Sequence, residues 1–244
     1  MFLINCCGNT NLPANFKNSE QSRAEKIKYL ISQNFWRQYM PKSNQVPVGL
    51  FFEVVPNSGH LHHYFSYVEK LKPELEKHKG LIWLNRYEAQ LDDYSLLSHQ
   101  LWDSEKSLEN WRQNKQHRLA QKAGIKKHFK DYRIRIGQRL ACWQADLVTE
   151  INFELTSKSD ALLVSIQSRT VISNTAFNKH AVLDGAYSGL SASDQFITLV
   201  TPNDLPSVKA LTSSISTDSI DKIELFLISR DYSMTNRIHA PRDS

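Results

Sequence analysis

Between Gln100 and Gln121 the sequence QLWDSEKSLENWRQNKQHRLAQ brings Trp102, Trp111 and His117 into one short span. Histidine changes charge near neutrality and so serves as acid, base or metal ligand, while tryptophan supplies a large apolar surface. The run LIWLNRYEAQ adds Arg86, a permanent cation with a fork of donors, and Tyr87, a phenol. A further group, His60, His62 and His63, invites a metal reading. Neighbouring histidines at a helix start point to different sides, and no cysteine or carboxylate completes a ligand set at helical spacing, so no metal is expected there. The chain has no glycine-rich phosphate loop, no Gly-x-Ser-x-Gly elbow and no defensible Cys/His nucleophile pair.

These residues need a scaffold, and the patterning supplies one. VPVGLFFEVV is a short apolar run stopped by the turn cluster Pro56-Asn57-Ser58-Gly59, which marks a strand before a helix. Leu61, Tyr64, Phe65, Val68, Leu71 and Leu75 then share one helix face, and Gly80 is the stop. LIWLNRYEAQ and YSLLSHQLW form a hairpin turned at Asp92-Asp93, whose carboxylates bond their own backbone. Ser104 is a fitting N-cap for a helix that turns Leu108, Trp111 and Leu119 inward. From Tyr132 to Leu140, Ile134, Ile136 and Leu140 alternate with Arg133, Arg135 and Arg139, giving a closing strand and a ferredoxin-like β-α-β-β-α-β unit.

The same order recurs in the carboxyl half. LVTEINFEL alternates as a half-buried strand; LLVSIQSRTVI is a strand, Asn174–Leu183 a short helix, and Gly185–Leu190 with Gln195–Thr201 a hairpin. Pro206–Ile215 is a helix and Ile223–Tyr232 a closing strand. The expected fold is α+β: two tandem ferredoxin-like units over 46–140 and 141–244, preceded by an arm and an amphipathic helix over 1–45, with Ile27, Leu30, Ile31 and Phe35 on the helix stripe.

The 244 residues are 41% hydrophobic, enough for a sizeable core in one large or two small domains. Cys6, Cys7 and Cys142 form neither a disulfide framework nor a ligand pattern, which fits a reducing compartment and a cytoplasmic protein. MFLINCCG is too short for a signal peptide, no stretch is long enough to span a bilayer, and no membrane partner is expected. The net charge of +5 collects in Lys122, Lys126, Lys127, Lys130, Arg133 and Arg135. No nucleic-acid motif accompanies them, and they read as a solvated face rather than a nucleic-acid site.

The helix ending in Lys77-His78-Lys79-Gly80, the strand ending in Trp102-Asp103, Ser104-Glu105 with Trp111, and Gln116-His117-Arg118, in that order, resemble the antibiotic biosynthesis monooxygenase family of dimeric α/β barrels. The resemblance implies that two sheet faces pack to close a barrel, here within one chain as an internal pseudo-dimer. It also implies a pocket between sheet and helices for a small aromatic or quinol-type molecule that reacts with dioxygen without metal, flavin or other cofactor. That chemistry needs a base, donors for an enolate oxygen and a wall that excludes water. The resemblance makes His117 the base, with Trp102, Trp111, Tyr87 and Arg86 around the substrate; a non-catalytic binding or interaction scaffold on the same barrel is the alternative. A haem-opening branch of the superfamily carries an Asn in its first strand, where this chain has Leu50, Phe51 and Phe52.

Overall fold

Alternating side chains make each strand two-faced, and here both faces are covered. The computed structural model describes residues 46–90, 95–144, 147–150, 161–173, 175, 177, 179–215 and 219–241. Its strands are β1 (Val48–Pro56), β2 (Leu81–Ala89), β3 (Leu96–Trp102), β4 (Phe129–Gln144), β5 (Leu147–Glu150), β6 (Leu162–Ser168), β7 (Ala181–Gly189), β8 (Phe196–Pro202) and β9 (Ile220–Ser233). The helices are α1 (Leu61–Glu76), α2 (Glu105–Gln113), α3 (Lys115–Ala123) and α4 (Leu205–Ser214), with a π-helical turn at Gly124–His128. The expected helix over Gln21–Met40, the Asp92-Asp93 turn and the end of LVTEINFEL lie outside the described residues.

The strand order is β1-β3-β2-β7-β8-β6-β9-β4-β5, and β1 also pairs with β4. Eight antiparallel strands therefore form a hydrogen-bonded ring, which removes free sheet edges, and β5 extends β4 outside it. Within each half the order is the same: β2-β3-β1-β4, then β7-β8-β6-β9. The halves meet at two seams, β4 against β9 over most of their length and β2 against β7 over a short stretch from Tyr87 to Ala89.

One core fills the ring. Phe51, Tyr87, Leu97, Leu101, Leu163, Tyr187, Ile197, Leu199 and Phe226 cluster there, each a neighbour in the pleat of a residue facing out. Gly49 permits this packing, since a Cβ at that position would overlap the Phe226 ring. Three other clusters lie outside the ring under the helices. Trp102, Leu108 and Trp111 sit with Val48 and Ile136; Tyr64 packs with Val54, Leu96, Tyr132 and Tyr232; and α4 caps Val164, Ile166, Val200 and Leu225.

Three expectations are corrected. Leu119, expected to turn inward with Leu108 and Trp111, is 54% exposed, because Asn114 ends α2 and starts a separate α3. The segment Asn174–Leu183 is not the predicted helix: its described residues contain no α-helix, and β7 begins at Ala181 because Ala181 and Leu183 pack against the outer core. The arginines of β4 do not form a solvated face. Arg135 is only 2% exposed and is paired with Glu53 at 2.7 Å and Asp184 at 2.8 Å, while Arg139 meets the fully buried Glu224 at 2.9 Å.

Candidate active site

Between the outer face of β1–β4 and the helices α1, α2 and α3 lies a cavity of about 190 Å³. The sheet contributes Leu50, Phe52, Leu84, Ile134 and Ile136, and α1 contributes Tyr64, Val68, Leu71 and Leu75. The α1 stripe predicted from spacing is thus the roof of a hollow, and its residues other than Tyr64 are only partly buried. Polar groups enter the wall from the sheet at Ser98, Gln100, Arg86 and Arg230 and from α3 at His117, while Lys72, Glu109, Arg112, Gln121 and His128 of the helices and the π-helical turn complete the lining. An apolar sheet face and helix stripe with polar groups converging on it is the usual make-up of a small-molecule site.

His117 owes its place to a break in the helix. Asn114 ends α2 with its backbone N–H donating to the Trp111 carbonyl, and its side-chain oxygen accepts from the Gln116 and His117 N–H groups to start α3. The turn swings the His117 ring onto Trp111, stacked at 4.5 Å and 17°. His117 Nδ1 lies 3.0 Å from the Trp111 carbonyl oxygen, which only accepts, so Nδ1 carries the hydrogen and Nε2 keeps a free lone pair. Burial lowers this histidine to about 4, with the carbonyl contact opposing. At neutral pH it is an uncharged imidazole with an accepting nitrogen.

Arg86 stands on the sheet side against the Tyr64 hydroxyl, and its buried Nε has no hydrogen-bond partner among the described residues. A buried donor without an acceptor is costly unless a ligand oxygen or water meets it. Gln100 is held by its neighbours on the same strand face, donating to Ser98 Oγ at 3.2 Å and accepting from Trp102 Nε1 at 3.1 Å.

Trp111, His117 and Arg86 thus face one cavity, whereas the other two predicted residues do not line it. Tyr87 is 2% exposed inside the ring, because consecutive strand residues point to opposite faces and Arg86 takes the outer one. Trp102 is fully buried behind the wall, where it fixes Gln100. Sequence reasoning missed Ser98 and Gln100, although polar residues two apart in an apolar strand mark one face, and it missed Arg230 and Tyr232, which β9 brings from the other half. It also missed His128: the π-helical turn carries it to the cavity mouth beside His60 and His63.

A closed antiparallel sheet with helices on its outside and a cavity between the two defines an α+β barrel with an external ligand pocket. Residues 47–123, which carry β1 through α3 and most of the cavity, match the family model described as antibiotic biosynthesis monooxygenase. The chain is 27% identical over 207 residues to a protein of Pyricularia oryzae (strain 70-15) named jasmonate monooxygenase ABM, a match spanning 79% of this chain and 96% of that one. Among solved structures, a Fusobacterium nucleatum protein is 12% identical and covers 78% of this chain and 95% of its own, with a TM-score of 0.39. An anthrone oxidase-like protein is 9% identical over 83% and 99%, with a TM-score of 0.36. No helix among the described residues is long and apolar enough to cross a membrane.

Proposed function

We propose that this protein is a monooxygenase that needs no bound cofactor for its chemistry and acts on a small aromatic or quinol-type compound held in the cavity between sheet and helices. The observation that carries the proposal is the pairing, in one apolar hollow, of an uncharged His117 with its Nε2 lone pair free and an Arg86 donor with no partner among the described residues. His117 Nε2 takes the acidic proton of the substrate, and Arg86 holds the enolate oxygen that develops. The carbanion adds dioxygen; the resulting peroxide loses water, so an anthrone and one O₂ give an anthraquinone and one H₂O. A base with its conjugate acid near 4 is weak, and the enolate forming beside it strengthens it by stabilising the imidazolium. Trp111 and the α1 roof exclude water from the carbanion.

The two halves, 46–140 and 141–244, are read as tandem ferredoxin-like units that close the ring as an internal pseudo-dimer, with 1–45 as a separate arm; their common strand order supports this. Among the described residues the hollow lies under the helices of the first half, while α4 of the second half packs directly on its sheet.

A second substrate class follows from the Pyricularia oryzae relative: jasmonate, an alicyclic keto acid, whose carboxylate would meet Arg86 or Arg230 in the wall. Oxygen uptake by the purified full chain with anthrones, hydroquinones and jasmonate tests both. Turnover above the uncatalysed rate that falls by about 100-fold in His117→Ala, with Arg86→Met also lowering kcat, is the expected result. No uptake and no thermal shift with any compound would leave a non-catalytic scaffold as the function.

A further inference from the structure

Three histidines far apart in the sequence converge where the cavity opens. His60 precedes α1, His63 lies in its first turn, and His128 ends the π-helical turn; each has a ring nitrogen within 4.8 Å of the other two. His60 Nδ1 and His128 Nδ1 are 3.1 Å apart, close to the roughly 3.3 Å that separates two nitrogen ligands on one tetrahedral zinc. The His63 ring lies 4.4 Å from that of His128 and 5.3 Å from that of His60.

The backbone holds this arrangement from both sides. The Asn57 N–H donates to the His128 carbonyl at 2.8 Å, the Asn57 amide donates to the Lys127 carbonyl at 3.0 Å, and the Asn57 carbonyl accepts from His60 N–H at 2.9 Å. One asparagine thus ties the loop that starts α1 to the turn that carries His128. Each imidazole can offer one ring nitrogen to a shared ion.

We propose that His60, His63 and His128 bind a divalent transition metal of the zinc class, leaving a coordination position open beside the cavity mouth, where His128 and Tyr67 form part of the wall. The donor set selects the metal. Three imidazoles suit Zn²⁺, Ni²⁺ or Cu²⁺, and the positive field of Lys70 and Lys127 disfavours Mg²⁺ or Ca²⁺, which lack the strong nitrogen bonding that would overcome it. The site is separate from His117 and takes no part in the proton transfer proposed above.

The test is titration of Zn²⁺ into the chelator-treated, tag-free full chain by calorimetry, with Co²⁺ absorption as the geometric readout. One equivalent at micromolar or tighter affinity, with the strong visible bands of low-coordinate Co²⁺ and no competition from Mg²⁺, is expected. His63→Gln and His128→Gln should each weaken binding by about 100-fold, whereas His62→Gln, an exposed neighbour outside the set, should leave it unchanged. Circular dichroism establishes that each variant is folded, and because His63 packs against rings rather than core, it decides the matter if His128→Gln does not fold. Millimolar binding only, or affinity that is the same in the wild type and His63→Gln, would overturn the proposal.

Discussion

His99 and His117 are both held near 4, and for both the leading cause is burial. His99 is completely buried inside the ring, stacked on Phe51 at 4.1 Å with Trp83 edge-on at 4.5 Å; Nδ1 meets the Leu50 carbonyl and Nε2 has no partner among the described residues. In the unfolded chain a histidine takes its proton at about 6.5, so between 6.5 and 4 the unfolded state binds more protons and stability falls as pH falls. For His99 the loss across that window is on the order of 3 kcal/mol. Denaturant unfolding at pH 7 and pH 4.5 should show it, and His99→Leu should flatten the slope; an unchanged slope would place the acid sensitivity elsewhere. Sequence patterning does not reveal His99, since Ser98-His99-Gln100 reads as three polar residues in a row. Only the pleat shows that the middle one faces the ring interior while its neighbours face the cavity. The same rule separates Tyr87 from Arg86, and it is legible once β2 is accepted as a strand. The free Nε2 of His117 is not legible, because it follows from a contact with the Trp111 carbonyl that no side-chain pattern encodes.

At the level of elements, the short stop at Asn114 decides the site. The run from Ser104 to Leu119 reads as one helix because it holds no Gly or Pro, yet the Asn114 side chain caps α3 and redirects it. Asn114→Ala should cost about 1 kcal/mol of stability, seen as a lower Tm, and should also loosen the His117–Trp111 stack. Asn114→Asp should restore both, because a carboxylate accepts the same two N–H groups; failure of this rescue would assign the loss to the Glu74 contact of the Asn114 amide instead. Gly80 shows the opposite case, where sequence is sufficient: as the stop after α1 it has φ +98, and a Cβ there would strike Ser107. Strand β4 was legible from its alternation, β1 from an apolar run ended by a turn cluster, α1 from its spacing and stop, and α4 from the recurrence of element order. The Asn174–Leu183 segment was not, since an alternating Ala-Val-Leu start also fits a helix face over so short a span.

For the whole molecule, the ring is what turns polar residues inward. Arg135 of β4 bridges Glu53 of β1 and Asp184 of β7, Tyr187 donates to Glu53 at 2.9 Å, and Arg133 pairs with Asp231 at 2.6 Å, so charges from both halves meet across one mouth of the barrel. Arginine alternating with isoleucine looks like a solvated strand face in sequence; only closure of the sheet gives that face an enclosed partner. Arg135→Met should destabilise by about 3 kcal/mol, because Glu53 loses its cation and Asp184 keeps only the longer cation contact, to Arg133 at 3.8 Å, and adding Glu53→Gln and Asp184→Asn should recover part of the loss. Equal denaturation midpoints for wild type and Arg135→Met would remove the network from the stability of the ring. In a barrel assembled from two copies of one chain, every substitution appears on both sides. Here a single polypeptide closes the ring, so each side is free to inherit its own changes. Among the described residues the two outer faces differ accordingly: the one beneath α1, α2 and α3 is hollow, and the one beneath α4 is filled by Val164, Val200, Val208, Leu211 and Leu225.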